Sequence, residues 1–370
     1  MLKDACNRLL PDEECFEPNY TAPWNENISL VEITQKIYII SVLYIGAPAI
    51  CIGLVTSFLC VIVFCCFEVT QKTTRRLLIM NSVSDTFNLG ALFISHILFE
   101  LVPLGQYKAL YIDSLDAVSN IAALSRNWSI VIIAFERYML ICYPIYLKTK
   151  ITDQWVSHAC IGLSVGTLIV RIPTVLTLIL KNTGVCDAAV VSFSVDAFTD
   201  IFFFTIFPLI LLSFFTIRIL YESQRLRKWR KNEGSIDSER SMAYERMKRR
   251  VHGTIMAVLV TFTLLTIPFL PNGVIRVLTA FGDHSCLVYL GRHITASMSY
   301  IGTVLNSTVN CFIYILTWPK FRVCLWQICI FPFVFCLHPN RKMSKTVVDE
   351  RTVQSQTERP SIDARLDIDY

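Results

Sequence analysis

Seven long apolar runs dominate the pattern along the chain: residues 37–66, 77–102, 110–142, 155–180, 195–221, 251–281 and 291–317. Each is long enough for a helix to cross ~30 Å of hydrocarbon, which takes roughly 20 apolar residues. An eighth run, VCLWQICIFPFVFCL at 323–337, is shorter and is interrupted by Pro332. It predicts a segment lying on a membrane surface rather than through it. The pattern therefore predicts an all-α membrane protein, a seven-transmembrane helix bundle with a short amphipathic helix after the last span. Its parts are an extracellular N-terminal segment at 1–36, the bundle at 37–317, a membrane-surface helix and juxtamembrane segment at 318–337, and a disordered cytoplasmic tail at 338–370.

Composition agrees. Of 370 residues, 54% are hydrophobic and only 17% charged, against about 25% charged in a typical soluble domain. No basic patch is interleaved with aromatics, which argues against nucleic acid as a partner. The net charge of +5 gains meaning from its placement. Lys72, Arg75, Arg76, Lys148, Lys150, the dense RLRKWRKNEGSIDSERSMAYERMKRR and Lys320, Arg322, Arg341, Lys342 and Lys345 all flank one side of the spans. The other side holds little beyond Lys108, Lys181 and Arg292. Basic residues stay cytoplasmic, so the N-terminus is expected outside and the C-terminus in the cytoplasm, at the plasma membrane. That result requires an odd number of spans.

The N-terminal segment, MLKDACNRLLPDEECFEPNY, is acidic and lacks the apolar core of a cleavable signal. It carries two glycosylation acceptors, Asn19 and Asn27, on the outer side. Asn127-Trp-Ser and Asn306-Ser-Thr match the same triplet but lie inside spans. Of the fourteen cysteines, Cys6, Cys15, Cys186 and Cys286 fall outside and are the disulfide candidates. Four cysteines allow three pairings, and the sequence leaves all three open. Cys324, Cys329 and Cys336 follow the last span and are palmitoylation candidates.

Polar residues inside the runs carry the chemistry. Arg137 sits at the cytoplasmic end of span three, and Arg126 lies eleven residues deeper, or ~16 Å, near the bilayer midplane. Asp85 in span two and Asn306 and Asn310 in span seven share that depth. An intramembrane charge faces the bundle interior and finds a partner. The economical reading pairs Asp85 with Arg126, the two asparagines completing the hydrogen bonds. The alternative is an Arg126 facing a water-filled cavity alone.

These residues resemble the rhodopsin-like (class A) G-protein-coupled receptors. FERYMLICYPIY is similar to the Glu/Asp-Arg-Tyr signature ending the third helix, through Glu136, Arg137 and Tyr138. NSVSDTF matches the second-helix pattern at Asp85. FTLLTIPFLP matches the sixth through Phe262 and Pro268, and FFFTIFPLILL supplies the fifth-helix Pro208. LNSTVNCFIYILTWPKFR matches the seventh through Asn310 and Tyr314. LNSTVNCFIY, the RIP of span four and the apolar sixth helix most resemble invertebrate FMRFamide-like neuropeptide receptors. Departures are Ser57 at the first-helix asparagine, Cys311 at the seventh-helix proline, Thr266 at the sixth-helix tryptophan and Ser164 at the fourth. Arg126 replaces a serine that helps bind sodium in many relatives, which implies that sodium is displaced from Asp85. Ile112 replaces the third-helix cysteine, so the usual partner of Cys186 is missing.

The resemblance implies a receptor that signals through a heterotrimeric G protein, needs no cofactor or metal, and is not an enzyme. Ser119 at the aspartate position of amine receptors and Val304 at the lysine position of opsins argue against amines and retinal. The implied ligand bowl is charged and aromatic: Glu100, Asp116, Arg171, Asp200, Arg276 and Tyr300. An amidated peptide ending in Arg-Phe suits such walls, with Asp200 as the deepest acid. The same fold could instead read a small external molecule, as in chemosensation. A transporter or channel is disfavoured because no repeated halves are found. Serines and threonines of the tail imply receptor kinases and arrestin as further partners.

Overall fold

The computed structural model describes residues 36–37, 39–67, 72–98, 108–143, 153–183, 185–233, 253, 256–280 and 286–330. Among them are seven helices long and apolar enough to cross a membrane: α1 Ile40–Cys66, α2 Lys72–Leu98, α3 Leu110–Cys142, α4 Gln154–Leu180, α5 Ala188–Glu222, α6 Met256–Thr279 and α7 Leu290–Thr317. An eighth, α8, runs Pro319–Ile330. The described residues include no strand. Each helix matches one apolar run. Starts move by up to seven residues: α2 begins at Lys72 rather than 77, and α5 at Ala188 rather than 195. Backbone hydrogen bonding continues past the apolar stretch, and long basic side chains tolerate the boundary by snorkelling.

The helices close into a ring. α1 packs on α2 and α7, α2 on α3, α4 on α5, α5 on α6, and α6 on α7. α3 touches α2, α4 and α5 and is the most buried of the seven spans. The polarity is that of a membrane bundle. Ile52, Phe58, Phe87, Ile161 and Leu264 face outward, while Asn81, Asp85, Asn88, Arg126, Asn127 and Asn310 are buried. With no water in the bilayer core, such groups must meet one another.

At the Arg137 end, an aromatic cluster docks α8. Phe64 of α1 meets Tyr314 of α7 and Phe321 of α8, each at 5.5 Å between ring centroids. Prolines shape the other helices. α6 breaks its ladder at Pro268, where Leu270 N–H turns back to Ile267 O at 3.1 Å. Ser299 of α7 donates to the Pro268 carbonyl at 3.1 Å, so the bend is held across the interface. α5 takes a π turn over Asp200–Ile206, just before Pro208. α7 runs unbroken through Cys311, as expected where the usual proline is missing.

Two glycines set helix spacing. A Cβ on Gly302 would lie 2.7 Å from the Leu265 carbonyl of α6. One on Gly53 would lie 2.3 Å from Thr308 Oγ1 of α7. Helices in lipid associate through such close small-residue contacts. Backbone cannot rotate aside, so Gly302→Val should push α6 from α7 and destabilise the receptor by ~1–3 kcal/mol, the usual range for overpacking. Gly162→Val, with nothing within 4 Å of its Cβ, is the control. Thermal inactivation of the two purified variants reads the difference, and equal melting would refute the close contact.

Candidate functional site

The polar interior is built in three tiers. In the middle tier, α2 presents Asn81, Asp85 and Asn88 on its buried face, at the i, i+4, i+7 spacing of one helix side. Asp85 Oδ2 accepts from Asn310 Nδ2 of α7 at 3.0 Å and from Asn81 Nδ2 at 3.3 Å. Arg126 Nη1 stands 3.9 Å from Asp85 Oδ1. The same nitrogen donates to Ser307 Oγ at 2.6 Å and to the Thr303 carbonyl at 3.3 Å. Its other nitrogens, Nε and Nη2, donate to Asn127 Oδ1 at 3.3 and 3.1 Å. Asn88 bridges Ser307 and Ser119, and Ser129 donates to Asn81.

Asp85 and Arg126 therefore come together as their depths suggest, but as a spaced ion pair. Hydroxyl, carbonyl and amide oxygens take the direct hydrogen bonds of the guanidinium. Of the two asparagines expected to complete the network, Asn310 does so. Asn306 is buried, and its Nδ2 has no hydrogen-bond partner among the described residues. Asn127, read in the sequence only as a buried glycosylation triplet, takes the place foreseen for Asn306. The residue is adjacent to Arg126 in sequence, so the guanidinium finds it first.

In the second tier, at the Arg137 end, the guanidinium is latched to α2. Arg137 Nη2 donates to Thr74 Oγ1 at 2.7 Å. Glu136 Oε1 accepts from Thr74 at 2.8 Å and from Thr73 at 3.1 Å. Glu136 and Arg137 stand 3.8 Å apart. Thr74 thus joins both members of the signature. Tyr138 packs on Phe215 of α5 at 5.5 Å. Phe262 and Tyr314 are buried in the same core.

The third tier, at the opposite end, is an ionic square. Arg171 of α4 and Arg276 of α6 both contact the carboxylate of Asp200. Arg276 also meets Asp196 at 2.9 Å, and Arg171 stands 3.7 Å from it. Both guanidiniums lie over rings, Arg171 on Phe204 at 5.5 Å and Arg276 on Phe193 at 5.7 Å. Asp200 is consequently no lone acid awaiting a cation. Asp116 is more open: its side chain is 43% exposed, against 16% for Asp200. His96 Nε2 lies 4.0 Å from Asp116 Oδ1 and packs its ring edge on Tyr300.

Glu100, Asn19, Asn27, Cys6, Cys15 and Cys336 lie outside the described residues, as do the side chains of Cys186, Cys286 and Cys329. Cys324 is half-buried and packs against the core beneath α8. Burial pushes its thiol up to about 11, which leaves little thiolate for acylation. Sequence reasoning missed Asn81, Asn88, Ser307, Asp196, Thr73 and Thr74. Spacing from Asp85 held the signal for the two asparagines, and the i−4 spacing from Asp200 held it for Asp196. Ser307 and the two threonines carry no such mark.

Removing one partner of a buried ion pair strands the other at a cost of ~3–5 kcal/mol. Arg126→Ala or Asp85→Ala alone should therefore sharply reduce surface delivery of the protein. The double change leaves no lone charge and should recover part of the loss, read by surface labelling in transfected cells. A double variant no better than the worse single would show that the two charges are compensated separately.

Residues 56–314, from α1 to α7, match the profile of the 7 transmembrane receptor (rhodopsin family). No curated protein matches the sequence. The match takes in well over half of the chain and contains the three tiers. The chain belongs to the rhodopsin family of seven-transmembrane receptors, multi-pass plasma-membrane proteins that are not enzymes and that answer an extracellular ligand by engaging a heterotrimeric G protein.

Proposed function

We propose that the ligand is an amidated, FMRFamide-like peptide and that it enters from the end carrying the ionic square. The basic loops flank the other end, which supports a cytoplasmic Arg137 and an outer Arg276. The observation that carries the reading is the contrast between the two acid sites. Asp200 is met by two arginines, whereas Asp116 keeps 43% of its side chain open beside the His96–Tyr300 ring pair. A peptide arginine takes Asp116, with aromatic faces alongside. Arg276, a quarter exposed, is the member of the square that a peptide reaches first. The external cysteines and the acceptors Asn19 and Asn27 belong to the face that receives it. Receptor kinases and arrestin act at the tail.

Activation follows from these positions. Peptide bound in the bowl shifts a two-state bundle toward the conformer that it binds better. α6 pivots where Pro268 has opened its ladder. Arg137 leaves Thr74 and faces the entering G protein.

Two outcomes test this. Arg137→Ala should abolish agonist-driven G-protein activation at near-normal surface expression, since Glu136 keeps its hydrogen bonds from Thr73 and Thr74 when the guanidinium is removed. Full signalling by a well-expressed variant would refute the coupling role. Screening amidated peptides on expressing cells should yield an agonist, and on Asp116→Asn its potency should fall tenfold or more. A charged hydrogen bond contributes ~1.5–3 kcal/mol, and about 1.4 kcal/mol is tenfold. A citrulline analogue of the peptide should then lose little further. Additive losses would place the arginine elsewhere, and a receptor answering only small molecules would overturn the peptide reading.

A further inference from the structure

The cysteines of α1 divide by face. Cys60 is buried and packs in the core with Val63 and Phe64. Cys65 and Cys66 are exposed, although Phe64 before them and Phe67 after them are buried. Cys65 falls about two helical turns beyond Phe58 and continues the outward row of Ile52, Val55 and Phe58. That row runs ~20 Å from Ile52 to Cys65. The helix stops directly after the pair. Phe67 is extended, at φ −119° and ψ 142°, and its N–H closes the last turn on Val63 O at 3.0 Å. The two thiols are therefore the last side chains of the outward face. The next helix opens at Lys72, with Arg75 and Arg76 in its first turns, so they stand at the basic end of the bundle.

A thiol placed there meets the two needs of a lipid acceptor. It is open to approach, and it stands where hydrocarbon gives way to headgroups. A long-chain acyl-coenzyme A spans the same boundary, with its tail in the leaflet, its phosphates in water and its thioester carbonyl between. The cations that begin α2 favour those phosphates on this side. The other described cysteines fail one need or the other. Cys51 is exposed but lies 14 residues back along α1, or ~21 Å deeper. Cys311 is buried. Cys160 of α4 is partly covered, as is Cys142, which stands beside Arg218 and Glu222 of α5. Cys324 packs beneath α8, where burial pushes its thiol up to about 11.

We propose that the Cys65–Cys66 pair at the end of α1 is a site of S-acylation by a long-chain fatty acyl group. Juxtamembrane cysteines are the acceptors of this chemistry. The cysteine thiolate attacks the carbonyl carbon of the acyl-coenzyme A. A new C–S bond forms there as the bond to coenzyme A breaks, and coenzyme A leaves as a thiolate that takes up the proton given by the cysteine. One thioester replaces another, and no electrons change hands. The acyl chain then lies along the outward row of Phe58, Val55 and Ile52 and pins the end of α1 in the leaflet. Phe64, next in sequence but on the buried face, meets Tyr314 of α7 and Phe321 of α8. An anchor on α1 thereby also steadies the base of α8, the helix whose own described thiol is turned inward.

The site rests on the orientation proposed above, with this end in the cytoplasm, and the experiment reads the two separately. Full-length receptor with a C-terminal epitope is expressed in animal cells, and antibody labelling before and after permeabilisation gives the side of the tail. In the same cells, free thiols are blocked, thioesters are cleaved with hydroxylamine, and each thiol released is tagged with a PEG-maleimide that adds one step on a gel. The parent should show hydroxylamine-dependent steps. The double variant Cys65→Ser with Cys66→Ser should lose at least one of them at unchanged surface expression, whereas Cys324→Ser should keep them all. A double variant with the steps of the parent, or a parent with none, would overturn the site while a tail reached only after permeabilisation upholds the orientation. So would loss of a step in Cys324→Ser alone, which moves the acceptor beneath α8. A tail reached in intact cells would overturn orientation and site together. Should the double variant be retained inside the cell, mass spectrometry of the parent decides. An acyl adduct on the peptide spanning residues 65–66 supports the site, and recovery of that peptide only as free thiol refutes it.

Discussion

A fully buried guanidinium in the middle of a membrane protein sets the terms for everything near it. Arg126 presents five N–H groups in a fully buried position, and each neighbouring helix contributes an answer. α2 supplies the charge of Asp85. α7 supplies the Ser307 hydroxyl and the Thr303 carbonyl, and α3 itself supplies Asn127. The oxygens sit closer than the carboxylate. That arrangement suits a helix bundle that must move, since a hydrogen-bonded cation retains partners when the more distant charge shifts. Arg126 thus places a fixed positive charge 3.9 Å from Asp85.

The ionic square at the other end solves the same problem differently. Two arginines and two aspartates from α4, α5 and α6 sum to zero charge, and each guanidinium also rests on an aromatic face. Neutrality removes the long-range pull that a lone buried acid would exert on any passing cation. Selection then falls to groups at the rim and to shape. It also ties α4, α5 and α6 to one another at that level.

The number, order and depth of the spans were legible because lipid imposes a length on apolar runs and a penalty on charges within them. The Asp85–Arg126 proximity followed from depth alone. What depth does not encode is rotation about the helix axis. Asn306 shares the level of Asp85 but leaves its Nδ2 without a partner among the described residues, whereas Asn127, set aside as a buried glycosylation triplet, accepts from Arg126. The pairing of Asp200 was not legible because its arginines lie 29 residues before it and 76 after it. The π turn was invisible for a related reason. Pro208 announces an open carbonyl, but which helix closes it is decided by tertiary packing.

α7 lacks the proline that would let it hinge, and its hydrogen-bond ladder runs from Leu290 to Thr317 without interruption. Such a rod cannot absorb a push by bending. It is clamped near its middle, by the backbone contact of Gly302 with Leu265 and by the bond of Thr308 to the Ala49 carbonyl at 3.1 Å. Ser307, the point where Arg126 grips, lies within that clamp, while Tyr314 lies seven residues on, or ~10 Å along the axis. The helix therefore behaves as a see-saw. A small rotation about the clamp swings Tyr314, and the α8 base attached to it through Phe321, by more than it moves Ser307, and carries Tyr300 at the far arm in the opposite sense.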